Sequence, residues 1–187
     1  MIKNKIVALA AMLAIGVSAT VAAPKTTGEN GLGEQPQIIK QVRHELLMLP
    51  YYGIFDNLAY QVEGNTVTLY GQVMKPITRK DAEVSVARIK GVERVINKIE
   101  VLPLSSFDDE IRARTLREMW RTGALYRYTR GVNSSLHIIV RGGHVTLEGV
   151  VANKTDKQLA YLAASRVPGV FSVTNNLHAE REENRAY

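Results

Sequence analysis

The pattern of apolar and polar positions occurs twice along the chain. The segment EGNTVTLYGQV at 63–73 matches RGGHVTLEGVV at 141–151, and GVERVINKIEV at 91–101 matches GVFSVTNNLHA at 169–179. Both matches have the same offset of 78 residues and neither needs a gap. Such a register over patterned sites predicts a tandem duplication.

Each copy changes its periodicity in the same order. Apolar residues recur at helical spacing, alternate as in two strands joined by a tight turn, return to helical spacing and alternate once more. In the first copy these positions are Ile38, Val42, Leu46 and Leu49, then Leu58, Tyr60 and Val62, then Ala82, Val86 and Ile89, then Val95, Ile99 and Val101. In the second copy they are Ile111, Thr115 and Met119, then Leu136, Ile138 and Val140, then Ala160, Ala164 and Val167, then Val173 and Leu177. The pattern predicts an α+β fold of two tandem αββαβ modules, each a three-stranded mixed sheet with two helices on one face.

Turn and capping residues predict where these elements end. Glycines shared by the two copies are assigned to the fold and to no ligand: Gly64, Gly71, Gly91, Gly142, Gly149 and Gly169. Gly64-Asn65 and Gly142-Gly143 are expected to supply the positive φ of tight hairpins, and Gly91 and Gly169 to be helix C-caps. The predicted N-cap of the first helix of the second copy is Asp108 or Asp109, and the second helices are expected to be capped near Thr78 and Thr155, with Thr155 and Gln158 at capping-box spacing.

The amino-terminal residues have the features of a secretory signal peptide. Lys3 and Lys5 precede an apolar run from Ile6 to Val17, and small residues follow to Ala23. We therefore predict a signal peptide at 1–23, a flexible arm at 24–35, modules at 36–103 and 107–179, and a charged tail at 180–187. The chain has no cysteine, so we expect an exported protein without a lipid anchor, periplasmic if the source is Gram-negative.

The repeated motif resembles the BON (bacterial OsmY and nodulation) domain. The resemblance is to V-x-G-x-V-T-L-x-G-x-V, followed by a helix and G-V-x-x-V-x-N, and it extends over about 36–179. It rests on Val62, Gly64, Val67, Thr68, Leu69, Gly71, Val73, Gly91, Val92, Val95 and Asn97, and in the second copy on Val140, Gly142, Val145, Thr146, Leu147, Gly149, Val151, Gly169, Val170, Val173 and Asn175. It implies a non-enzymatic envelope protein linked to osmotic or envelope stress, whose modules bind phospholipid membranes or envelope proteins. Some members are chaperones for exported proteins.

The residue types and their spacing give little support for a catalytic or metal-binding site. Without cysteine there is no thiol nucleophile and no thiolate metal ligand. The four histidines show no metal-binding spacing, and the acids at 108–110 are first of all capping and dipole partners of a helix. No nucleotide fingerprint occurs. We predict no enzyme activity, no catalytic residue, no cofactor and no metal.

The segment MWRTGALYRYTRG at 119–131 is the candidate contact surface. Its membrane-facing residues are predicted to be Trp120, Arg121, Tyr126, Arg127, Tyr128 and Arg130, with Arg112, Arg114 and Arg117 just upstream. Arginine and amphipathic aromatic side chains suit anionic headgroups. The first copy has LPYYGIF at the corresponding place, which favours packing for the aromatic residues. We expect Trp120 and one tyrosine to pack against the core, and leave open whether the arginines form a contact surface.

Two functions of different kind remain in competition. The first is a periplasmic adaptor that contacts an anionic phospholipid membrane surface through the second module. The alternative is an ATP-independent chaperone or interaction module for envelope proteins, using exposed apolar patches and sheet edges. A small-ligand or cation-binding domain has the least support, nucleic acid is not expected as a partner of an exported protein, and the oligomeric state stays open.

Overall fold

The computed structural model describes residues 7–8, 35–131 and 133–180. The predicted signal peptide, apart from Val7–Ala8, the predicted arm up to residue 34, and the tail from residue 181 lie outside the described residues. The elements are β1 (Val7–Ala8), α1 (Gln35–Leu47), β2 (Asn57–Glu63), β3 (Thr66–Val73), α2 (Pro76–Ala87), β4 (Arg94–Asn97), β5 (Glu100–Val101), α3 (Ser106–Arg121), α4 (Tyr126–Thr129), β6 (Leu136–Arg141), β7 (His144–Val151), α5 (Lys154–Ser165), β8 (Ser172–Asn175) and β9 (His178–Ala179).

Both copies fold as the predicted αββαβ module. In the first, β3 lies between β2, which is antiparallel to it, and β4 and β5, which are parallel to it. In the second, β7 lies in the same way between β6 and the pair β8 and β9. The α+β class and the mixed three-stranded sheets are confirmed. Two additions were not predicted: the short helix α4, and β1, which pairs with the outer edge of β2.

The apolar positions predicted from periodicity form one core in each module. In the first, Val42 and Leu46 of α1 and Val86 of α2 are fully buried with Val67 and Leu69 of β3. In the second, the core is built from the corresponding elements. Strand residues of the alternating set face the two helices, so each helix stripe is buried against the same face of its sheet.

The predicted helix caps are wrong in three places. Ser105 caps α3, since its Oγ accepts a hydrogen bond from the amide of Asp108, and Asp108 and Asp109 fall inside the first turn. Asn153 caps α5 by accepting from the amide of Asp156, two residues before the expected Thr155. At α2 no side chain caps the helix; Pro76 begins it, and the amide of Thr78, which is buried inside the first turn, donates to the carbonyl of Lys75.

The final strand of each module is interrupted by the shared asparagine. Asn97 Oδ1 accepts a hydrogen bond from the amide of Ile99, and its Nδ2 donates to the carbonyl of Arg79 in α2. Asn175 makes the same two bonds, to Leu177 and to Lys157 of α5. This asparagine therefore ends β4 or β8 and ties the sheet edge to the helix, which explains why one continuous strand was not formed.

The six shared glycines all have positive φ, but they serve different turns. Gly71, with φ 117°, lies on β3, where a Cβ would come within 2.0 Å of the carbonyl oxygen of Asn57. Gly149 has the same constraint against Ser135. Gly64 turns the first hairpin, although Asn65 beside it has no positive φ, contrary to expectation.

Gly91 and Gly169 are not helix C-caps. Arg88 and Arg166 are the C-cap residues of α2 and α5. Gly91 lies in the next turn, in which the amide of Val92 donates to the carbonyl of Ile89. Its φ of 92° fits the third position of a type II turn, where positive φ is required.

The modules meet where the turn before β2 lies against the outer edge of β6. The amide of Ile138 donates to the carbonyl of Ile54 over 2.8 Å. Ile54 and Phe55 also pack against the core of the second module. At the rim, Arg141 forms an ion pair with Glu100 over 3.2 Å. One outward amide of β6 is thereby bonded to a turn of the other module.

Candidate functional site

The predicted contact segment forms a corner at one end of the second module. It includes the last turn of α3, a turn at residues 122–125, and α4. Thr122 Oγ1 donates to the carbonyl of Glu118, and the amide of Leu125 donates to the carbonyl of Thr122. Leu125 is fully buried and fixes the turn to the core. We call this region, residues 117–130, the α3–α4 corner.

The aromatic side chains of the α3–α4 corner divide between surface and core. Trp120 and Tyr126 are 49% and 46% exposed, whereas Tyr128 is buried. The expected packing is thus found for one tyrosine, but Trp120 lies half in solvent, because Thr115 and Met119 take the core-facing positions of α3. The first module shows a similar division, with Tyr51 exposed and Tyr52 buried.

The arginines of the corner also divide. Arg121 is exposed and pairs with Glu118 over 2.6 Å, and Arg127 pairs with Asp156 over 2.5 Å. Arg117 and Arg130 are exposed, and neither has a carboxylate at ion-pair distance among residues 35–131 and 133–180. Arg130 lies over the ring of Tyr126, 5.4 Å from its centroid.

Two upstream arginines, Arg112 and Arg114, do not add free positive charge to the surface, contrary to what the sequence suggested. Arg112 is 2% exposed and donates to the carbonyl of Val140 and to Asp109, so it belongs to the core boundary. Arg114 pairs with Glu110 on the exposed side of α3 over 2.7 Å. The unpaired positive charge is therefore concentrated at Arg117 and Arg130.

Tyr128 and Asp156 join α4 to the start of α5. The Tyr128 hydroxyl donates to Asp156 over 2.6 Å and accepts from the amide of Ala152 over 3.0 Å. Arg127 donates to both side chains. Burial, followed by the bond to Asp156, raises the pKa of Tyr128, and the same carboxylate raises the pKa of Arg127. Arg127 and Tyr128 thus hold the corner in place and are poorly placed to bind a ligand.

Between its first helix and its first strand the second module has residues 122–135, against 48–56 in the first module. A comparison of the two modules shows what this insertion does. In the first module the amide of Met74, just after β3, is bound by the carboxylate of Asp56 over 2.6 Å. The equivalent amide is that of Ala152, and the residue equivalent to Asp56 is Ser134. Tyr128, which α4 supplies, takes over the role of acceptor. The insertion therefore has a structural task and also lifts Tyr126 and Arg130 to the surface.

The acidic cluster at the start of α3 has a structural role. Asp108 is buried, and its two carboxylate oxygens accept hydrogen bonds from the amides of Gly142 and Gly143 at 2.9 and 2.8 Å. Both carboxylate oxygens of Asp108 are thus bonded to the β6–β7 hairpin. Among the described residues, no group of His, Asp and Glu side chains has the arrangement of a metal site.

One histidine lies at a special position that the sequence did not indicate. His137 is 3% exposed and lies between the modules, with Nε2 3.3 Å from the hydroxyl of Tyr52. Burial lowers the pKa of His137 below its ordinary value, because the charged imidazolium is poorly solvated there. The other three histidines are exposed.

Exposed apolar side chains outside the corner were also missed. Leu104, in the connection between modules, is 96% exposed, Phe171 is 70% and Met48 is 64% exposed. Phe171 contacts Phe107 with ring centroids 6.0 Å apart. Apolar residues in connections carry no periodic signal, so the sequence pattern gave no reason to single them out. No helix in the described part of the chain combines the length and apolar character needed to cross a membrane.

Comparison with known proteins agrees with the repeated architecture. The family model of the BON domain matches residues 36–103 and again 108–181. BON domains are associated with phospholipid binding and stress proteins, and the family is generally non-enzymatic.

The solved structures add distant similarities. One is to CdsD, a structural protein of the type III secretion system of Chlamydia trachomatis, at 10% identity and a TM-score of 0.31, over 80% of this chain and 96% of that one. Another is to the C-terminal domain of CdsD, at 12% identity and a TM-score of 0.29, over 78% of this chain and 98% of that one. No curated protein matches the chain. The two family matches together cover most of the sequence, and the chain belongs to the BON domain family.

Proposed function

We propose that the protein is a non-enzymatic, exported adaptor of the cell envelope that binds anionic phospholipid surfaces through its second module and acts in osmotic or envelope stress. The observation that carries this proposal is the composition of the α3–α4 corner. Two half-exposed aromatic side chains, Trp120 and Tyr126, lie in the same corner as Arg117 and Arg130.

The chemistry of this corner suits the boundary between headgroups and acyl chains. Tryptophan and tyrosine place an apolar ring beside a polar group, and arginine can extend its charged end towards phosphate. Each basic side chain near an anionic surface contributes about 1 kcal/mol. Because Arg117 and Arg130 have no competing carboxylate among the described residues, their charge is available to a lipid phosphate.

The test is flotation with vesicles of phosphatidylcholine, with and without phosphatidylglycerol. We expect binding to the anionic vesicles alone, decreasing with salt because the attraction is screened. The double variant Arg117→Glu and Arg130→Glu should lower partitioning by about thirtyfold or more. Arg127 is unsuitable for charge reversal, since a glutamate there faces Asp156.

A matched control separates the corner from net charge. Lys80→Glu and Lys90→Glu change the charge by the same amount on exposed positions of the first module. This control should retain most of the binding. Equal losses in both double variants, or undiminished binding of the corner variant, contradict the assignment to the α3–α4 corner.

The exposed apolar residues favour a second function, that of an ATP-independent chaperone or interaction module for exported proteins. Leu104, Phe171 and Met48 offer apolar contacts without a nucleotide-binding motif nearby. This function predicts suppression of aggregation of unfolded envelope proteins without ATP, and a loss of that effect on replacing Leu104 and Phe171 by serine. Inactivity towards several such clients argues against it.

A further inference from the structure

The outer edge of β2 is placed to bind an extended polypeptide. In the first sheet the order is β1, β2, β3, β4, so β2 becomes the end strand once β1 is set aside. An end strand has backbone N–H and C=O groups without a partner and readily accepts another strand. The described part of β1 is Val7–Ala8, and β2 has seven residues.

A backbone group at the same register position is bound in both modules. In the second module the outward amide of Ile138 on β6 donates to the carbonyl of Ile54, which lies in a turn. In the first module the residue equivalent to Ile138 is Tyr60, and it pairs with Val7 of β1. Both edge strands thus bind another part of the chain at this position, and in the first module that part is a strand.

The backbone of β2 can bind a segment longer than two residues. Residues on an antiparallel strand alternate in the direction of their backbone N–H and C=O groups, so these groups of Leu58, Tyr60 and Val62 point to the same side. Val7 and Ala8 pair with Tyr60 and Ala59. A peptide that continues past these two positions can also pair with Leu58 and Val62.

The segment that pairs with β2 belongs to the predicted signal peptide. Val7–Ala8 lies within the apolar run that starts at Ile6. We infer that the β2 edge is a binding site for an extended, apolar segment of another exported protein, blocked by the leader in the precursor and opened when the leader is removed. This inference rests on the proposed export, but it does not depend on binding to lipid.

Backbone pairing gives such a site its affinity and allows it to bind segments of different sequence. Strand addition binds mainly through main-chain hydrogen bonds, with side chains adding selectivity. The side chain of Tyr60 is buried in the core, where its hydroxyl donates to the carbonyl of Ile39 and so attaches β2 to α1. Apolar segments of unfolded exported proteins have the required chemistry.

The experiment compares the full chain with a chain that starts at Pro24. The core residues of the first module in the described part of the chain begin at Ile38, so removal of 1–23 takes none of them away. The probe is a fluorescent peptide with the sequence of residues 3–12, KNKIVALAAM. Anisotropy should show binding to the shorter chain at least about tenfold tighter than to the full chain, whose own segment competes within the molecule.

N-methylated peptides provide the matched control. The backbone N–H of Tyr60 points to the outer edge of β2. In an antiparallel pair, the N–H of the peptide valine opposite Tyr60 then points towards β2, and the N–H of the next alanine points away from β2. N-methylation of the valine should weaken binding about tenfold or more, and N-methylation of the alanine should leave it nearly unchanged. Binding should also protect the Tyr60 amide from hydrogen exchange.

Three results overturn the inference. These are equal affinity of the two chains for the peptide, equal affinity of the two N-methylated peptides, and sedimentation that shows the shorter chain pairing with itself through a protected Tyr60 amide that the peptide does not displace. Vesicle binding is measured separately, so a failure here leaves the membrane proposal standing, and the reverse holds as well.

Discussion

The hydroxyl of Tyr52 in the first module lies 3.3 Å from Nε2 of His137 in the second. Both side chains are buried, and Nδ1 of His137 has no hydrogen-bond partner among the described residues. The charge that acts on Tyr52 is that of Asp56, which is itself influenced by Lys75 and Arg112. We therefore expect the join between the modules to respond to pH.

We predict that acid weakens this join. The pKa of His137 is lowered by burial in the folded protein, so the unfolded chain takes up its proton first as the pH falls. Stability is therefore highest above the ordinary value of 6.5 and decreases as the pH falls below it. Asp56, whose pKa burial raises from 3.8, acts in the opposite direction in a more acidic range.

Thermal unfolding from pH 8 to pH 5 measures this effect. The variant His137→Gln keeps a hydrogen-bonding group near Tyr52 but does not titrate, so its unfolding temperature should change less over this range. His178→Gln, at an exposed position, is the control and should behave as the wild type. A wild-type slope that persists in the His137 variant assigns the pH dependence to other groups.

Gly71 should tolerate no side chain. The Cβ of an alanine there would lie 2.0 Å from the carbonyl oxygen of Asn57, with a φ that alanine rarely adopts. We expect Gly71→Ala to lower the free energy of unfolding by about 3 kcal/mol or more, measured by urea denaturation. Gly123→Ala has open space around it and should change the free energy by about 0.5 kcal/mol or less. Similar effects of the two changes contradict the prediction.

Two adjacent asparagines should differ in their contribution to stability. Asn175 links β8 to α5 and to the amide of Leu177, so Asn175→Ala is expected to cost about 1–3 kcal/mol. The side chain of Asn176, which is exposed, bonds only to that of Glu148 in the described structure, and Asn176→Ala should cost about 0.5 kcal/mol or less. Urea denaturation of both variants decides whether the shared asparagine has the structural role assigned to it.

The two tyrosines of α4 should also differ in their contribution to stability, because one is buried and the other is exposed. Tyr128→Phe removes the acceptor of the Ala152 amide and a donor to Asp156, so we expect a loss of about 1–3 kcal/mol in the free energy of unfolding. Tyr126→Phe leaves the fold nearly unchanged, since the hydroxyl of Tyr126 has no bond in the described structure. Equal losses mean that α4 is not held by Tyr128.

The modules could be predicted because the spacing of apolar residues follows directly from the face that each helix or strand buries. The residues Val42, Val67 and Val86 lie at positions where burial and spacing agree, so the elements and the core could be read from the pattern. Element ends depend on side-chain bonds of single residues. Ser105 and Asn153 were missed as caps because other capping residues stand within two or three positions of each.

The candidate site could be predicted only in its location. Composition pointed to residues 119–131, but the roles of the arginines depend on partners distant in sequence. Arg127 is paired because Asp156 starts the next helix, 29 positions away. His137 and Ile54 were not expected to contact the other module, because the apolar periodicity within each copy carries no signal for contacts between the copies.

The fluorescence of Trp120 tests the central claim most directly, since it is the only tryptophan in the chain. If the α3–α4 corner meets the membrane, its emission shifts to shorter wavelength on adding anionic vesicles, does not shift with phosphatidylcholine alone, and returns towards its original position in high salt. Emission that stays unchanged while the protein floats with anionic vesicles shows that another surface binds, and contradicts the account.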